Sequence, residues 1–129
     1  MSDDSYFKLE VITPKRVVFS ELAKEVILPG VMGEMCILPG HSAMLAVLEP
    51  GLVTAKDCNN QKSLFAVDSG FVQVQEYDGE SKVNVVVKFA WTAEDELEPV
   101  PLPSDLDDAY RVRRLNEAKM KVKSGAVRE

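Results

Sequence analysis

Residues 7–11 decide the fold class, and they read Phe7-Lys8-Leu9-Glu10-Val11. The odd positions are apolar and the even positions are charged, which is the period of two expected of a strand with one buried face. Short runs rich in β-branched and aromatic residues follow along the chain, at 16–19, 25–28, 35–38, 52–55, 64–67, 71–74 and 83–87. Pro, Gly and Asn residues punctuate these runs. The pattern predicts many short strands.

The dipeptide Asp78-Gly79 gives the clearest hairpin signal in this pattern. It stands between two alternating runs, and Asp-Gly is typical of tight β-hairpins. No helical run interrupts the strands before residue 91, which favours a β-sandwich or flattened barrel. We therefore predict a β-sandwich domain over residues 1–91.

The tail, residues 92–129, predicts a linker and a helix. Alternating prolines in Glu98–Pro103 indicate a stiff, extended linker, because each proline fixes φ and removes a donor. A helix is predicted over about 104–123, with Ser104 and Asp107 as a capping pair. Its apolar stripe comprises Leu106, Ala109, Val112, Leu115, Ala118 and Val122. Because an isolated helix of this length is marginal, the stripe must dock on its own sandwich or on another subunit.

Composition narrows the classes of function. The 129 residues carry a net charge of −6, which argues against nucleic acid, since phosphate binding needs a basic face. The longest apolar runs fall short of the ~20 residues that span a bilayer. Charge is polarised in the tail: residues 94–108 hold seven acids and no base, whereas 109–128 hold seven bases against Glu117 alone. No targeting peptide is visible at the start.

Candidate catalytic and metal-binding residues are few. His41 is the sole histidine, and a nucleophile pair with Cys36 would also need an orienting group and an oxyanion hole. Cys36 lies in the apolar run 35–38 and is interpreted as a packed core thiol. With Cys58, these residues are too few and too irregularly spaced for a zinc site. We expect no catalytic, cofactor-binding or metal-binding residues, and we interpret the chain as a rigid β module that binds partners.

Five sequence blocks carry a resemblance to a known family. They are FKLEVITP at 7–14, VILPGVMGE at 26–34, ILPGHSAML at 37–45, LEPGLV at 48–53 and LFAVDSGFVQV at 64–74. In this order and spacing they closely resemble the epsilon-subunit family of F-type ATP synthases, called delta in mitochondria. The resemblance covers about residues 6–90 and implies a small β-sandwich of ten strands followed by C-terminal helices.

The resemblance also implies a role and partners. Members of the family belong to the central stalk of the rotary motor, where they bind the gamma subunit and sit on the c-ring. They are not catalytic; they couple ring rotation to ATP synthesis, and many restrain ATP hydrolysis. Carried over by matching position, the resemblance makes Glu34 a c-ring contact and His41 a gamma-subunit contact.

The tail departs from the family pattern. Some members bind ATP through Ile/Leu-Asp-x-x-Arg-Ala, but here Leu106-Asp107 is followed by Arg111 one position late, so no nucleotide cofactor is expected. The predicted helix carries the basic residues Arg111, Arg113 and Arg114 and is a candidate regulatory helix. Two placements stay open for it, against acidic surfaces of the alpha/beta catalytic head or packed on the sandwich.

The resemblance implies a peripheral membrane protein held at the membrane by other subunits. We expect the cytoplasmic face of the bacterial inner membrane, with the matrix side of the mitochondrial inner membrane as the alternative. The residues leave two other functions open: a free-standing β-sandwich module that binds carbohydrate or peptide, and a small hydrolase that uses Cys36 and His41.

Overall fold

The computed structural model describes residues 6–77, 80–93, 95, 102 and 104–124. It contains ten strands and one helix in this part of the chain. The elements are β1 (Phe7–Ile12), β2 (Val17–Ala23), β3 (Glu25–Gly30), β4 (Gly33–Ile37), β5 (Met44–Leu48), β6 (Gly51–Lys56), β7 (Lys62–Val67), β8 (Gly70–Tyr77), β9 (Glu80–Val87), β10 (Ala90–Trp91) and α1 (Leu106–Ser124).

The strands form one path that wraps into two facing layers. Its order is β10-β7-β6-β3-β5-β8-β9-β1-β2, and β4 pairs with β3 off this path. All pairs are antiparallel except β1 with β9, which run parallel from Lys8 opposite Lys82 to Ile12 opposite Val86. The result is a β-sandwich that resembles a flattened, nearly closed barrel.

The core fills the space between the two layers and explains why the strands alternate. Phe7, Leu9 and Val11 are almost completely buried, whereas Lys8 between them is exposed. The core is completed from the other strands by a set of aliphatic and aromatic side chains: Ala23, Val26, Leu28, Ile37, Leu48, Val53, Ala55, Phe65, Val67, Val72, Val74, Val83, Val85 and Val87. Burial of this apolar surface, at roughly 25 cal/mol per Å², is the main stabilising contribution.

Helix α1 docks on the chain's own sandwich, which settles one of the alternatives that the sequence left open. Ala118 and Val122 are buried against Ala66, in a small second cluster that Leu52, Leu64 and Trp91 surround. Leu115 is also buried. The apolar stripe therefore covers the outward face of β6 and β7.

The helix begins at Leu106, and its first turn is capped one residue later than predicted. The Asp105 carboxylate accepts a hydrogen bond from the Asp108 N–H at 3.1 Å, and the Asp105 carbonyl accepts one from the Ala109 N–H at 2.8 Å. Asp105 therefore acts as the N-cap in the place predicted for Ser104. Lys121 and Lys123 lie in the last turn, where cations complement the helix dipole.

The predicted fold class, mainly β with an N-terminal β-sandwich and a small C-terminal helix, is confirmed. All eight runs predicted as strands coincide with strands, except that Arg16 lies just before β2 and Leu38 just after β4; β5 and the short β10 were not predicted. Asp78-Gly79 lies outside the described residues, although Tyr77 pairs with Glu80 on either side of it. Most of the proline linker also lies outside them, and the domain division at residue 91 stays a prediction.

Candidate functional site

The outer face of the layer formed by β5, β8, β9 and β1 carries an apolar row that no described element covers. Cross-strand pairing places Val47 opposite Phe71, Phe71 opposite Val86, and Val86 opposite Ile12. Directly paired residues point to the same side of a sheet. Val47 is 62% exposed, Phe71 is 39% exposed, and the neighbouring Leu45 is 68% exposed. We call Leu45, Val47, Phe71, Val86 and Ile12 the outer apolar row.

A polar row runs beside it on the same face. Leu45, which is adjacent to the directly paired residues of the apolar row, lies opposite Gln73 at the end of the polar row. Gln73 lies opposite Asn84, and Asn84 lies opposite Glu10. Glu10 is well satisfied, since it accepts a hydrogen bond from the Ser20 hydroxyl at 3.0 Å and lies 3.8 Å from the Lys82 ammonium. The Asn84 Oδ1, in contrast, is buried and accepts no hydrogen bond from the described residues. Buried acceptors without a donor are uncommon in folded proteins.

Glu34 lies at the start of β4, directly after the turn that joins β3 to β4. Gly33 in this turn has φ of 127°, a conformation that L side chains rarely adopt. Met32 at the tip is 98% exposed, and Glu34 is exposed as well. The pairing of Pro29 with Glu34 in the ladder fixes the direction of this hairpin. A rigid tip that carries one apolar and one acidic side chain therefore projects from the sandwich.

His41 lies in the connection between β4 and β5, past the other end of β4. Its N–H donates to the Leu38 carbonyl at 3.2 Å, and Gly40 has φ of 83° in the turn. The ring Nδ1 lies 2.7 Å from the Ser42 carbonyl oxygen, so it donates when it carries the proton. His41 is half-buried, and its second ring nitrogen makes no hydrogen bond to the described residues.

The three arginines of the candidate regulatory helix have different surroundings. Arg111 donates to the Ser69 hydroxyl at 2.8 Å, which ties the first turns of α1 to the start of β8. Arg114 forms an ion pair with Glu49 at 3.1 Å. Arg113 is exposed to solvent. Two of the three therefore hold the helix on the sandwich, and the prediction that they meet the catalytic head stays a prediction.

The structure brings Glu34 and Arg114 into one groove and leaves His41 outside it. This groove, of about 500 Å³, runs between α1 and the β3–β4 hairpin, and its charged lining includes Glu49, Glu117 and Lys121. Its walls carry charges of both signs. The predicted c-ring contact and the predicted regulatory helix are thus neighbours in the docked state.

Lys119 was missed as a docking residue because the sequence places it among solvent-facing cations. It is only 5% exposed, and its ammonium lies 4.2 Å from the ring centroid of Trp91. Desolvation lowers the pKa of Lys119 below its ordinary value of 10.5, and the Asp68 carboxylate acts in the opposite direction. Trp91 in turn stacks on Phe89, with centroids 5.7 Å apart. The only signal in the sequence is the position of Lys119 beside Ala118 on the apolar stripe.

The interpretation of Cys36 as a core thiol is wrong. In β4 the alternation places Ile37 in the core and Cys36 on the outside. Partial desolvation, and then the carboxylates of Glu25 and Glu34, raise the pKa of the Cys36 thiol. A raised thiol pKa disfavours the thiolate that a nucleophile needs, and no hydrogen bond joins Cys36 to His41 in the described chain.

The described residues provide neither a metal site nor a membrane-spanning helix. No cluster of three or more His, Cys, Asp or Glu side chains is placed to hold a metal ion there. The helix within that part of the chain is not apolar enough over its length to cross a bilayer.

The outer apolar row was also missed, and the sequence held a signal for it. The segment Met44-Leu45-Ala46-Val47-Leu48 is apolar at every position, so β5 has no polar face that could be exposed to solvent at low cost. Strands of this kind are normally covered on both faces. Here one face of β5 packs in the core and the other stays exposed.

Comparison with known proteins gives the family. The model of the ATP synthase delta/epsilon chain, beta-sandwich domain, matches residues 6–93. The ATP synthase epsilon chain of Campylobacter fetus subsp. fetus is 38% identical over 79 residues, which span 61% of this chain and 58% of that one. The ATP synthase epsilon chain of Campylobacter lari is 32% identical over 117 residues, which span 90% of this chain and 78% of that one.

A solved structure shares the fold. A chain in the cryo-EM structure of Euglena gracilis mitochondrial ATP synthase (OSCP/F1/c-ring) superposes with a TM-score of 0.67 at 15% identity, covering 98% of this chain and 85% of that one. The match to the family model over most of the chain and the Campylobacter lari relative agree with the resemblance read from the five blocks. The chain belongs to the delta/epsilon family of F-type ATP synthase subunits.

Proposed function

We propose that this chain is a non-catalytic subunit of the central stalk of an F-type ATP synthase, where it couples rotation of the c-ring to ATP synthesis through the gamma subunit. Family membership supports the complex, and the structure supports a role in binding. A close-packed two-layer core resists deformation, which suits a part that transmits torque.

The outer apolar row is the observation that carries this proposal. Leu45 and Val47 are both more than half exposed on a regular strand, next to Phe71. A contiguous apolar patch on a rigid sheet marks a protein interface. We assign this face, with His41 near its rim, to the gamma subunit.

The β3–β4 tip is the second contact, and we assign it to the c-ring. Met32 and Glu34 project from a turn whose backbone the β3–β4 ladder fixes. An acidic side chain there is able to accept hydrogen bonds from basic or amide groups of the polar loops of the ring. The chain would then sit at the membrane surface through its partners, on the cytoplasmic side in a bacterium.

The docked position of helix α1 bears on how the chain would restrain ATP hydrolysis. Arg111, Arg114 and Lys119 all contact the sandwich, so they are not available to the alpha/beta head while α1 is docked. We propose that any restraint of ATP hydrolysis requires release of α1 and is carried by the basic side chains freed in this way. Deletion of residues 92–129 should therefore leave assembly intact.

The experiment is reconstitution of the full chain with purified gamma subunit and c-ring. Leu45→Asp should weaken binding to gamma by at least about tenfold, because it places a charge in an apolar contact. Met120→Asp is the matched control, since Met120 is 66% exposed on the helix and Leu45 is 68% exposed on the sheet. Glu34→Ala should weaken only the attachment to the ring.

Two results would contradict the proposal. One is unchanged gamma binding by the Leu45 variant, with circular dichroism showing that it remains folded. The other is a wild-type chain that stays a lone monomer in the presence of gamma and the ring, which would favour a free-standing binding module.

A further inference from the structure

A second surface, separate from the outer apolar row, is the unpaired edge of β2. β2 is the last strand of the path, and one of its edges pairs with β1. Within residues 6–77 and 80–93, no strand pairs with its other edge. The path ends at β10 on the other side, but β10 has only two residues. β2 has seven residues, Val17–Ala23, and exposes Val17 and Leu22 by 52% and 53%.

An edge strand of this length is a liability that proteins normally protect. Lysines, prolines, bulges or a covering element usually prevent a second chain from pairing with the edge. Residues 17–23 contain no proline and no lysine, and Glu21 is their only charge. The register shift between Val11 and Ile12 leaves Val18 as an extra residue without a partner in β1, so β2 has a bulge at its N-terminal end, and the regular ladder covers residues 19–23. The edge therefore keeps a row of backbone donors and acceptors open to pairing.

A cleft at the start of this edge gives the pairing a preferred chemistry. It has a volume of about 360 Å³, and its apolar walls include Pro14, Val18 and Phe89. Lys15, Arg16 and Lys88 stand around it, all exposed, and none of them forms an ion pair with a described carboxylate. In a chain with a net charge of −6, Lys15 and Arg16 are a local concentration of positive charge next to an apolar cleft, whereas Lys88 also lines a second cavity with Asp68 and Asp108.

We propose that the β2 edge binds an extended segment of a partner protein by strand addition, with apolar side chains along the segment and acidic residues at the end that meets Lys15, Arg16 and Lys88. Main-chain hydrogen bonds along β2 provide affinity, and the cleft and its cations select the segment. Antiparallel pairing is the more stable arrangement, which places the acidic residues at the C-terminal end of the segment. The proposal does not rest on the stalk role.

A second copy of this chain fits the edge less well. In an antiparallel pair of β2 strands with full overlap, Ser20 would face its own copy and Arg16 would face Lys24 of the other chain. Like charges directly opposite each other are destabilising. The concave cleft and the linear edge also suit a peptide better than the flat surface of a bilayer.

The test uses the full chain and a synthetic peptide of about nine residues, a length typical of strands, with alternating Val and Thr followed by a C-terminal pair of Asp. Hydrogen exchange of the amides of residues 17–23 should slow in a saturable manner. Lys15→Glu with Arg16→Glu should weaken binding about tenfold, the result of losing two exposed charge contacts. Arg113→Glu with Lys121→Glu makes the same change of charge on the helix and should have no effect.

Backbone pairing is tested by methylating alternate amide nitrogens of the peptide. One of the two methylation registers should abolish binding and the other should not, because only one places the methyl groups toward β2. Four results would overturn the proposal: no slowing of exchange in β2, equal binding of a peptide with a C-terminal pair of Lys, protection of β2 through dimerisation without peptide, or binding to phosphatidylglycerol vesicles that depends on Lys15 and Arg16 and displaces the peptide.

Discussion

The two outer faces of the sandwich both carry apolar side chains, but only one of these faces is covered by a described element. The face of β6 and β7 carries Leu52, Leu64 and Ala66 and is covered by helix α1. The face of β5 and β8 carries Leu45, Val47 and Phe71 and is left exposed. The first face is covered within the chain, and under the proposed function the second would be covered by a partner subunit. The same apolar chemistry would then serve stability on one side and assembly on the other.

The largest difference should appear when one charge is introduced on each face. Ala118→Asp places a carboxylate at a position only 3% exposed under the helix, and we expect it to cost about 3 kcal/mol of docking free energy. Val47→Asp on the exposed face should cost less than about 1 kcal/mol in the isolated chain. Hydrogen exchange of the α1 amides measures the loss of docking free energy, and chemical denaturation measures the loss of stability of the isolated chain. Equal losses would show that the exposed face is also covered in the free protein.

Lys119 gives the covered face a dependence on pH. Because desolvation lowers its pKa in the docked state, that state binds fewer protons than the undocked state between the lowered pKa and 10.5. Docking should therefore strengthen as pH rises toward 10.5, through the window just below that value. Lys119→Met should remove this rise, while changing docking at pH 7 by less than about 1 kcal/mol, since the lost cation–π contact is offset by the removed desolvation.

The measurement is the exchange rate of the α1 amides, corrected for intrinsic rates, in both proteins across this pH range. Lys121→Met, at an exposed position two residues further along, is the control and should keep the rise. The same pH dependence in the Lys119 variant would assign it to another group.

The ion pair between Arg114 and Glu49 should contribute less to the covered face. Both side chains are partly exposed, at 38% and 22%, so solvent screens the pair. Arg114→Ala should weaken docking by about 0.5 kcal/mol, and added salt should reduce the difference between variant and wild type. Denaturation at low and high salt measures this. A loss that salt leaves unchanged would show that packing of the arginine stem, and not its charge, holds the helix.

At the covered face we expect no measurable binding of ATP, which is the smallest effect among these predictions. Arg111 lies one position late for the family motif and is engaged by the Ser69 hydroxyl. Isothermal titration with ATP up to low millimolar concentrations should show no saturable heat. A signal that Arg111→Ala removes would contradict this expectation and would place a nucleotide between helix and sheet.

Much of the fold followed from local patterns, and the errors have a common physical cause. Apolar and charged residues alternate in Phe7–Val11 because one face of the strand is buried, so β1 was predictable. β5 is apolar at every position and shows no such alternation, so it was missed. Cys36 was assigned to the core because an apolar run does not reveal which side of a strand faces inward. The register with β3, which no local pattern contains, decides that side.

The candidate site was predictable only in part for the same reason. Glu34 and His41 were singled out through the resemblance, and their contacts with the ring and gamma stay predictions. The docking of α1 depends on Ala66 and Trp91, which lie 40 and 15 positions before the first residue of the helix, Leu106, in the sequence. Lys119 became a docking residue only because the fold brings Trp91 beneath it.

The parallel pairing of β1 with β9 has a consequence for how the binding face comes into being. β1 is the first strand of the described chain and β9 is nearly the last, yet Ile12 of the outer apolar row lies against Val86. Contacts so distant in sequence form late in folding, because a long loop must close before they are gained. On the ribosome, the face that carries the outer apolar row would form only after β9 has emerged. Under the proposed function, a nascent or truncated chain would thus be unable to occupy the place of a finished one in the complex.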